Sequence, residues 1–370
     1  MNRALARRCI AVILALGAAV FRPCLAEEPV NDGVEAEIAR LCTPKAPYFQ
    51  VPAACSSSRL SSYDPIYAVY QSPQGDERSI RLHYSVRYLL FMPDCLANYG
   101  AALNEETRAG RLDSSAKAAI AQRAVDCIKG YDQRHEFFLA YTGEFDFYLN
   151  TRESSPVVNR INNPGAHYRR HINLTGEKGV RLRWIDLSVE HRSNGQATDP
   201  HVRVTDAASQ DFGRYQAQVE YEKGNHSYID SISQSTNFAA LQALFHVGER
   251  LDLLARAKLF YFSTNTAITW GPVADQNVQI WDYDRMTLVA AYRIGEEKTN
   301  RSDERRLFFD WTLGAKGLAT DSFNFGLYWP VRVGGMPIPL FARLHHGPLN
   351  TLSDFAREQA SVGVGLLLLQ

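Results

Sequence analysis

The feature that most constrains the fold of this chain is an alternation of apolar and polar residues with a period of two. It is clear over residues 79 to 88, 180 to 193 and 211 to 222, where one face of the extended chain is apolar and the other is polar or charged. This is the period of a β-strand, because successive side chains project to opposite faces. A soluble sandwich seldom sets so many charges opposite its apolar face, strand after strand. A membrane barrel needs the pattern, because its outside meets lipid and its lumen is polar.

Further segments with strand character bring the number of predicted strands to twelve. They are residues 134 to 149, 166 to 175, 238 to 247, 251 to 262, 284 to 294, 306 to 315, 321 to 333, 337 to 345 and 359 to 369. An even number of strands closes a bacterial barrel without an unpaired edge in the bilayer. We therefore predict an all-β chain in which residues 79 to 370 form a twelve-stranded antiparallel transmembrane β-barrel.

One segment inside this region favours helix instead of strand. Residues 95 to 130 are rich in alanine, a strong helix former, and are bracketed by Cys95 and Cys127. They are expected to form a small disulfide-bracketed helical insertion between the first two strands, outside the membrane.

The N-terminal residues have the composition of an export signal. Arg3, Arg7 and Arg8 precede an apolar run over residues 9 to 21, which is shorter than a membrane-spanning helix requires. The pattern predicts a secretory signal peptide over residues 1 to 26, cleaved after Ala26. Residues 27 to 78 show no sustained period, so they are expected to form an N-terminal extended segment.

Four cysteines remain after the predicted cleavage, an even number in an exported chain. The local pairs are Cys42 with Cys55 and Cys95 with Cys127, although four cysteines allow three pairings. No His or Cys lies near them at a zinc-binding spacing. Formal charge also balances, with 40 basic and 40 acidic residues, which indicates neither a nucleic-acid partner nor a polybasic lipid anchor.

The candidate chemistry lies in the stretch Glu190-His191-Arg192-Ser193-Asn194-Gly195. On a strand, His191 and Ser193 project from the same face, about 6 to 7 Å apart along the chain. That face carries the apolar residues of 180 to 193, so both side chains are expected to point toward lipid near the strand end. Asp211 begins the next predicted strand on its apolar face.

Polar groups on a lipid-facing surface are costly unless they satisfy one another, and a relay of Ser, His and Asp does so. Ester cleavage needs the same set: Ser193 as nucleophile, His191 as its base and Asp211 to fix the imidazole. The alternative is that His191 and Ser193 mark an ordinary strand end before an Asn-Gly turn.

The stretch resembles the active-site motif of the outer membrane phospholipase A family, which carries H-x-S-N-G followed shortly by Asp-Pro, as Asp199-Pro200 does here. Four other regions are similar in the same order along the chain. They are residues 63 to 67, residues 141 to 143 leading into 153 to 156, residues 347 to 355, and residues 362 to 365.

The resemblance implies a twelve-stranded outer-membrane barrel that hydrolyses phospholipid acyl esters as a calcium-bound homodimer. His191 matches the family's base and Ser193 its nucleophile. The third member in the family is usually an Asn at the start of the following strand; Asp211 occupies the most plausible place, with Thr205 and Asp206 as rivals.

The resemblance also implies a calcium site. Its ligands would be the Ser154 hydroxyl, from the partner subunit, and main-chain carbonyls near Gln196 and Val202. Oxygen ligands suit calcium, which stabilises the oxyanion in the family. Two departures bear on the site: this loop is one residue longer than usual between Gly195 and Asp199, and Gly143 stands where the family tends to have Gln.

The leading hypothesis is therefore a calcium-dependent phospholipase A1/A2, with lysophospholipase activity, in the outer membrane. The alternative is a non-enzymatic barrel, either a pore or a structural protein. Several charged residues look able to pair across the lumen, which disfavours a pore: Arg181, Arg183, Arg214, Glu220, Glu222, Arg256 and Lys258. A soluble lipase would carry a G-x-S-x-G elbow, and the sequence has none.

Overall fold

The structure is a computed structural model. It describes residues 59–73, 77–91, 95–111, 113–130, 135–148, 157–176, 179–194, 235–261, 280–295, 304–334, 336–352 and 356–369.

The described residues form thirteen β-strands and two α-helices. The strands are β1 (Leu60–Ser62), β2 (Ile66–Pro73), β3 (Ser79–Leu89), β4 (His135–Phe147), β5 (Val157–Thr175), β6 (Val180–Ser193), β7 (Ser235–Val247), β8 (Leu251–Tyr261), β9 (Met286–Ile294), β10 (Arg305–Leu313), β11 (Ser322–Val333), β12 (Met336–Gly347) and β13 (Gln359–Leu369). The helices are α1 (Cys95–Arg108) and α2 (Ser114–Gly130), and two 3₁₀ turns lie at Ile280–Asp282 and Gly317–Ala319.

The strands close into a single antiparallel barrel. From β2 to β13 each strand pairs with the next, and β13 returns to pair with β2. β1 and β2 pair with successive parts of β3, so together they make one barrel strand. Thirteen strands therefore give twelve positions around the barrel, and the predicted fold class is confirmed.

The barrel begins earlier than Ser79, the predicted start. β1 and β2 lie inside the segment of residues 27 to 78 that was expected to be extended and outside the barrel. The inward residues of β2 explain the difference, because Tyr67 and Val69 are apolar and pack against Phe341 in the lumen. Where both faces of a strand are apolar, the polar alternation disappears from the sequence.

The predicted strand over residues 211 to 222 does not lie between β6 and β7. These two strands pair directly along their whole length, from Val180 opposite Val247 to Ser193 opposite Ser235. Residues 211 to 222 lie outside the described residues. The predicted number of twelve is correct because β1 with β2 supplies the missing barrel strand.

The predicted helical insertion is present as α1 and α2, which pack against each other between β3 and β4. Ile120, Ala124 and Val125 of α2 are buried. The insertion joins the end of β3 to the start of β4. Because β6 starts at that same end of the barrel and Ser193 is its last residue, the insertion and Ser193 lie at opposite ends. Neither helix is long and apolar enough to cross a membrane. The predicted signal peptide and the predicted pair Cys42 and Cys55 lie outside the described residues, and the pairing of Cys95 with Cys127 stays a prediction.

Charged side chains fill much of the lumen in pairs. Arg81 donates to both carboxylate oxygens of Asp146 at 2.9 Å, and each side chain is only 1% exposed. Three similar pairs join Arg87 to Glu136, Arg169 to Asp186 and Arg306 to Glu304. Buried charges persist in proteins when they are paired and hydrogen-bonded in this way.

The lumen pairing predicted from the sequence is confirmed for two residues. Arg256 pairs with Glu190 and Lys258 with Asp284. Arg183 instead lies at an irregularity in the pairing of β6 with β7. Arg214, Glu220 and Glu222 lie outside the described residues.

Candidate active site

Strand β6 presents an apolar face to the outside of the barrel and a polar face to the lumen. Leu187 and Val189 are 53% and 55% exposed, whereas Asp186 and Glu190 are buried. His191 and Ser193 follow in phase with the apolar residues, so their half-buried side chains lie on the outer face at the end of the strand. This is the position predicted from the sequence.

The pairing of neighbouring strands places these two residues in two adjacent rows around the barrel. In one row, His191 lies between Pro164 of β5 and Asn237 of β7. In the other, Ser193 lies between Asn162 of β5 and Ser235 of β7. All these residues belong to the outward-facing set of their strands.

A hydrogen bond joins His191 to the neighbouring strand. Its Nδ1 lies 2.9 Å from Oδ1 of Asn237, so Nδ1 carries the proton and donates to the amide oxygen. Nε2 then has the lone pair that a general base needs. Because Asn237 occupies the third position of β7, the sheet itself holds this orientation of the imidazole.

Asn237 is not among the site residues predicted from the sequence. The strong alternation of residues 211 to 222 led to a predicted strand that starts at Asp211, and Asp211 was therefore predicted as the third member. Asp211, Thr205 and Asp206 lie outside the described residues. The signal that could have found Asn237 was the expectation of an Asn at the start of the following strand, since Asn237 directly precedes the strand predicted over residues 238 to 247.

A shallow groove of about 510 Å³ lies on the outer surface beside His191 and Asn237. Pro164, Gly165 and Ala166 of β5 line it, and these short residues leave a depression between larger neighbours. The larger lining residues are mainly apolar or aromatic, including Val86, Tyr88, Leu139, Tyr141, Val189 and Tyr261. The groove is therefore a mostly apolar depression next to the imidazole.

Hydrogen bonds on the lumen side hold the end of β6 in place. Glu190 accepts from Ser188 at 2.6 Å and from Asn163 at 2.9 Å, and it pairs with Arg256. Arg192 donates to Asp284 at 3.2 Å. The residues on both sides of His191 are thus anchored, and one of them, Arg192, also precedes Ser193.

The expected calcium ligands Ser154, Gln196 and Val202 lie outside the described residues. The loops that contain them begin where β4 and β6 end, at the same end of the barrel as Ser193. Among the residues described, no group of three or more His, Cys, Asp or Glu side chains could hold a metal ion.

Solved structures of outer membrane phospholipases share this fold. The calcium-bound dimer of the outer membrane phospholipase of Salmonella typhi aligns over 83% of this chain and 91% of its own, with a TM-score of 0.54 and 15% identity. Outer membrane phospholipase A of Escherichia coli aligns over 83% and 96%, with a TM-score of 0.53 and 15% identity. An active-site mutant of that enzyme, with an asparagine replaced by alanine, aligns over 83% and 90%, with a TM-score of 0.53 and 14% identity.

No family profile matches the chain, and no curated relative matches it. The likeness therefore rests on architecture, a closed antiparallel barrel in the same overall arrangement as these enzymes. The chain has the fold of outer membrane phospholipase A.

Proposed function

We propose that this chain is a calcium-dependent phospholipase A1/A2, with lysophospholipase activity, that hydrolyses acyl esters in the outer membrane. The observation that carries the proposal is the hydrogen bond between His191 and Asn237 on the lipid-facing side, with Ser193 on the same face. A base with a fixed tautomer and a serine beside it, set on a surface that meets lipid, is what ester cleavage at a membrane requires.

Ser193 acts as the nucleophile in the proposed reaction. Its Oγ attacks the ester carbonyl carbon while Nε2 of His191 takes the hydroxyl proton. The bond to the glycerol oxygen then breaks, and His191 donates its proton to that oxygen as the lysophospholipid leaves. Water, deprotonated by the same imidazole, attacks the acyl carbon; the bond to Ser193 Oγ then breaks, His191 returns the proton to Oγ, and the fatty acid leaves. Asn237 accepts from Nδ1 throughout and stabilises the imidazolium.

Asn237 takes the place that the sequence analysis gave to Asp211. An amide oxygen can hold the tautomer as a carboxylate does, although it lacks the negative charge. A neutral partner suits this position because an unpaired carboxylate on a lipid-facing surface would be costly to desolvate.

The groove beside His191 supports a long acyl chain as the substrate. It starts at the imidazole and is lined mostly by apolar and aromatic side chains. The site lies at the barrel end that carries residues 194 to 234 and 262 to 285, whereas the other end carries, beside the helical insertion, three connections of two to four residues, 176 to 179, 248 to 250 and 334 to 335. Long loops of such barrels face the outside of the cell, which supports a site in the outer leaflet.

Calcium would be held by the Ser154 hydroxyl and by main-chain carbonyls near Gln196 and Val202. All are oxygen ligands, which a hard cation prefers, and both loops start at the barrel end that carries Ser193. The ion would supply a positive charge near the developing oxyanion. With Ser154 contributed by a second copy, the active form would be a homodimer.

The paired charges in the lumen argue against the pore alternative. Arg81, Arg87, Arg169 and Arg306 are each at most 2% exposed. A water-filled channel needs free space that these side chains occupy.

The proposal is tested by fatty-acid release from phosphatidylethanolamine in mixed micelles. The refolded wild type is compared with Ser193→Ala, each with calcium and with a chelator. We expect release that requires both Ser193 and calcium. Equal release from Ser193→Ala, or no release from a correctly folded wild-type barrel, would contradict the proposed activity; release that resists the chelator would contradict only the calcium requirement.

A further inference from the structure

Three polar side chains near the site take no part in the ester hydrolysis proposed for Ser193 and His191. Tyr84 of β3, Tyr141 of β4 and Asn162 of β5 all belong to the outward-facing set of their strands. A barrel surface that meets lipid is usually apolar, because polar groups there must be desolvated. Their position beside Ser193 therefore calls for an explanation.

Strand pairing sets these residues in line with the nucleophile. Asn162 lies directly opposite Ser193, Gly143 lies opposite Asn162 on the next strand, and Tyr84 lies opposite Gly143. A Cβ atom at Gly143 would overlap the ring of Tyr84. The glycine thus lets the Tyr84 ring lie across β4, toward Tyr141 and Asn162.

A hydrogen bond and a ring contact link the three side chains. The Tyr141 hydroxyl donates to Oδ1 of Asn162 at 2.6 Å. The rings of the two tyrosines lie 6.0 Å apart. Because Oδ1 of Asn162 accepts from Tyr141, the amide is held in one orientation, and its NH2 group is directed elsewhere as a donor.

We propose that Asn162 is a further catalytic residue, whose NH2 group donates a hydrogen bond to the carbonyl oxygen of the ester that Ser193 attacks. Tyr141 and Tyr84 are positioning residues that hold the amide in this orientation. The inference rests on the proposed esterase activity of Ser193.

The reach of the side chain fits this role. Side chains directly opposite each other on antiparallel strands have Cβ atoms about 4.5 to 5.5 Å apart. An ester carbon bonded to Ser193 Oγ carries its oxygen within one bond length of that position. A donor one strand away can therefore reach the oxygen. Its hydrogen bond is strongest when the oxygen becomes negatively charged in the transition state.

Two substitutions test Asn162. Asn162→Leu keeps the size of the side chain and removes both polar atoms, whereas Asn162→Asp keeps an acceptor for Tyr141 and removes the NH2 donor. We expect kcat for phosphatidylethanolamine hydrolysis to fall by about 100-fold in both variants, with KM changed by less than about threefold, as for the loss of an oxyanion donor. The rate at which a fluorophosphonate labels Ser193 is expected to fall in parallel, because its phosphoryl oxygen occupies the same place.

Tyr141→Phe tests the positioning role, and Tyr168→Phe is its matched control. Tyr168 is also an outward tyrosine on this side of the barrel, hydrogen-bonded to His135 at 2.6 Å, but it lies away from Ser193. We expect kcat to fall by about three- to tenfold in Tyr141→Phe, the size of one neutral hydrogen bond, and to stay unchanged in Tyr168→Phe.

The outcomes separate this inference from the proposed function. Folding of each variant is checked first by its heat-modifiable mobility on gels; if Asn162→Leu does not fold, Asn162→Asp and Tyr141→Phe decide. Ser193-dependent hydrolysis by wild type, with kcat within twofold in both folded Asn162 variants, would overturn the role of Asn162 alone. A wild type that neither hydrolyses phospholipid nor reacts with fluorophosphonate at Ser193 would overturn the proposed function, and this inference with it.

Discussion

Replacing Asn237 by alanine tests the part of the site that the structure adds to the sequence pattern. The substitution removes the acceptor of the His191 Nδ1–H group, which lies 2.9 Å away, and leaves Ser193 and the groove intact. The imidazole can then rotate, and its two tautomers become closer in energy. We expect slower hydrolysis by a barrel that still folds.

The magnitude follows from what the hydrogen bond does in each state. It joins two neutral groups before the reaction and a cation to an amide in the transition state. Neutral hydrogen bonds contribute about 0.5 to 1.5 kcal/mol and those to charged groups about 1.5 to 3 kcal/mol. The difference of about 1 to 1.5 kcal/mol corresponds to a fall in kcat of about five- to tenfold. Ser193→Ala removes the nucleophile and is expected to cost far more.

The assay is the initial rate of fatty-acid release at saturating phospholipid, measured for Asn237→Ala, Asn237→Asp and Asp211→Ala. We expect Asn237→Asp to retain more activity than Asn237→Ala, because a carboxylate also accepts from Nδ1. An Asn237→Ala enzyme as active as wild type, together with an Asp211→Ala enzyme that has lost activity, would show that Asp211 and not Asn237 is the third member of the site.

Three further substitutions test the scaffold. Asp186→Leu should destabilise the barrel by about 3 to 5 kcal/mol in denaturant unfolding from lipid vesicles, because it leaves buried Arg169 without its carboxylate partner; unchanged stability would contradict the importance of this lumen pair. Gly143→Ala should lower stability by about 1 to 3 kcal/mol through overlap with Tyr84, and Tyr84→Ala should relieve that loss in the double variant; equal losses with and without the tyrosine ring would be inconsistent with the overlap. Asp113 caps α2, and the hydrogen bond from a backbone N–H of its first turn lowers the pKa of the carboxyl. The cap is therefore present at neutral pH and is lost as pH falls through the lowered pKa, so the protection of amides at the start of α2, relative to the intrinsic exchange rate at each pH, should fall on acidification in wild type and be low at all pH values in Asp113→Ala; equal protection in both proteins at neutral pH would exclude the cap.

The barrel could be predicted because its two faces meet different surroundings. Residues of β6 alternate between lipid-facing apolar groups and lumen-facing charges, and the sequence records that alternation directly. β2 was not predicted, because some of its lumen residues, such as Val69, are apolar and pack against other apolar side chains, so the two faces of the strand differ little in polarity. A period-two pattern reports only a difference between faces, not the presence of a strand.

The site could be predicted only in part, for a related reason. His191 and Ser193 are two residues apart on one strand, so local geometry suffices to place them together. Asn237 is 46 residues from His191 in the chain, and only the pairing of β6 with β7 brings it into contact. Tyr84 and Asn162 also reach the site through strand register, which no local spacing in the sequence reveals.

A fluorophosphonate adduct, mapped by mass spectrometry on the refolded barrel, identifies the nucleophile without any assumption about the substrate. We expect one modified serine, Ser193, and no labelling in His191→Ala, because the hydroxyl needs the imidazole to become nucleophilic. An adduct on another serine such as Ser235, or labelling of Ser193 that persists without His191, would contradict the claim that these two residues form an ester-cleaving pair.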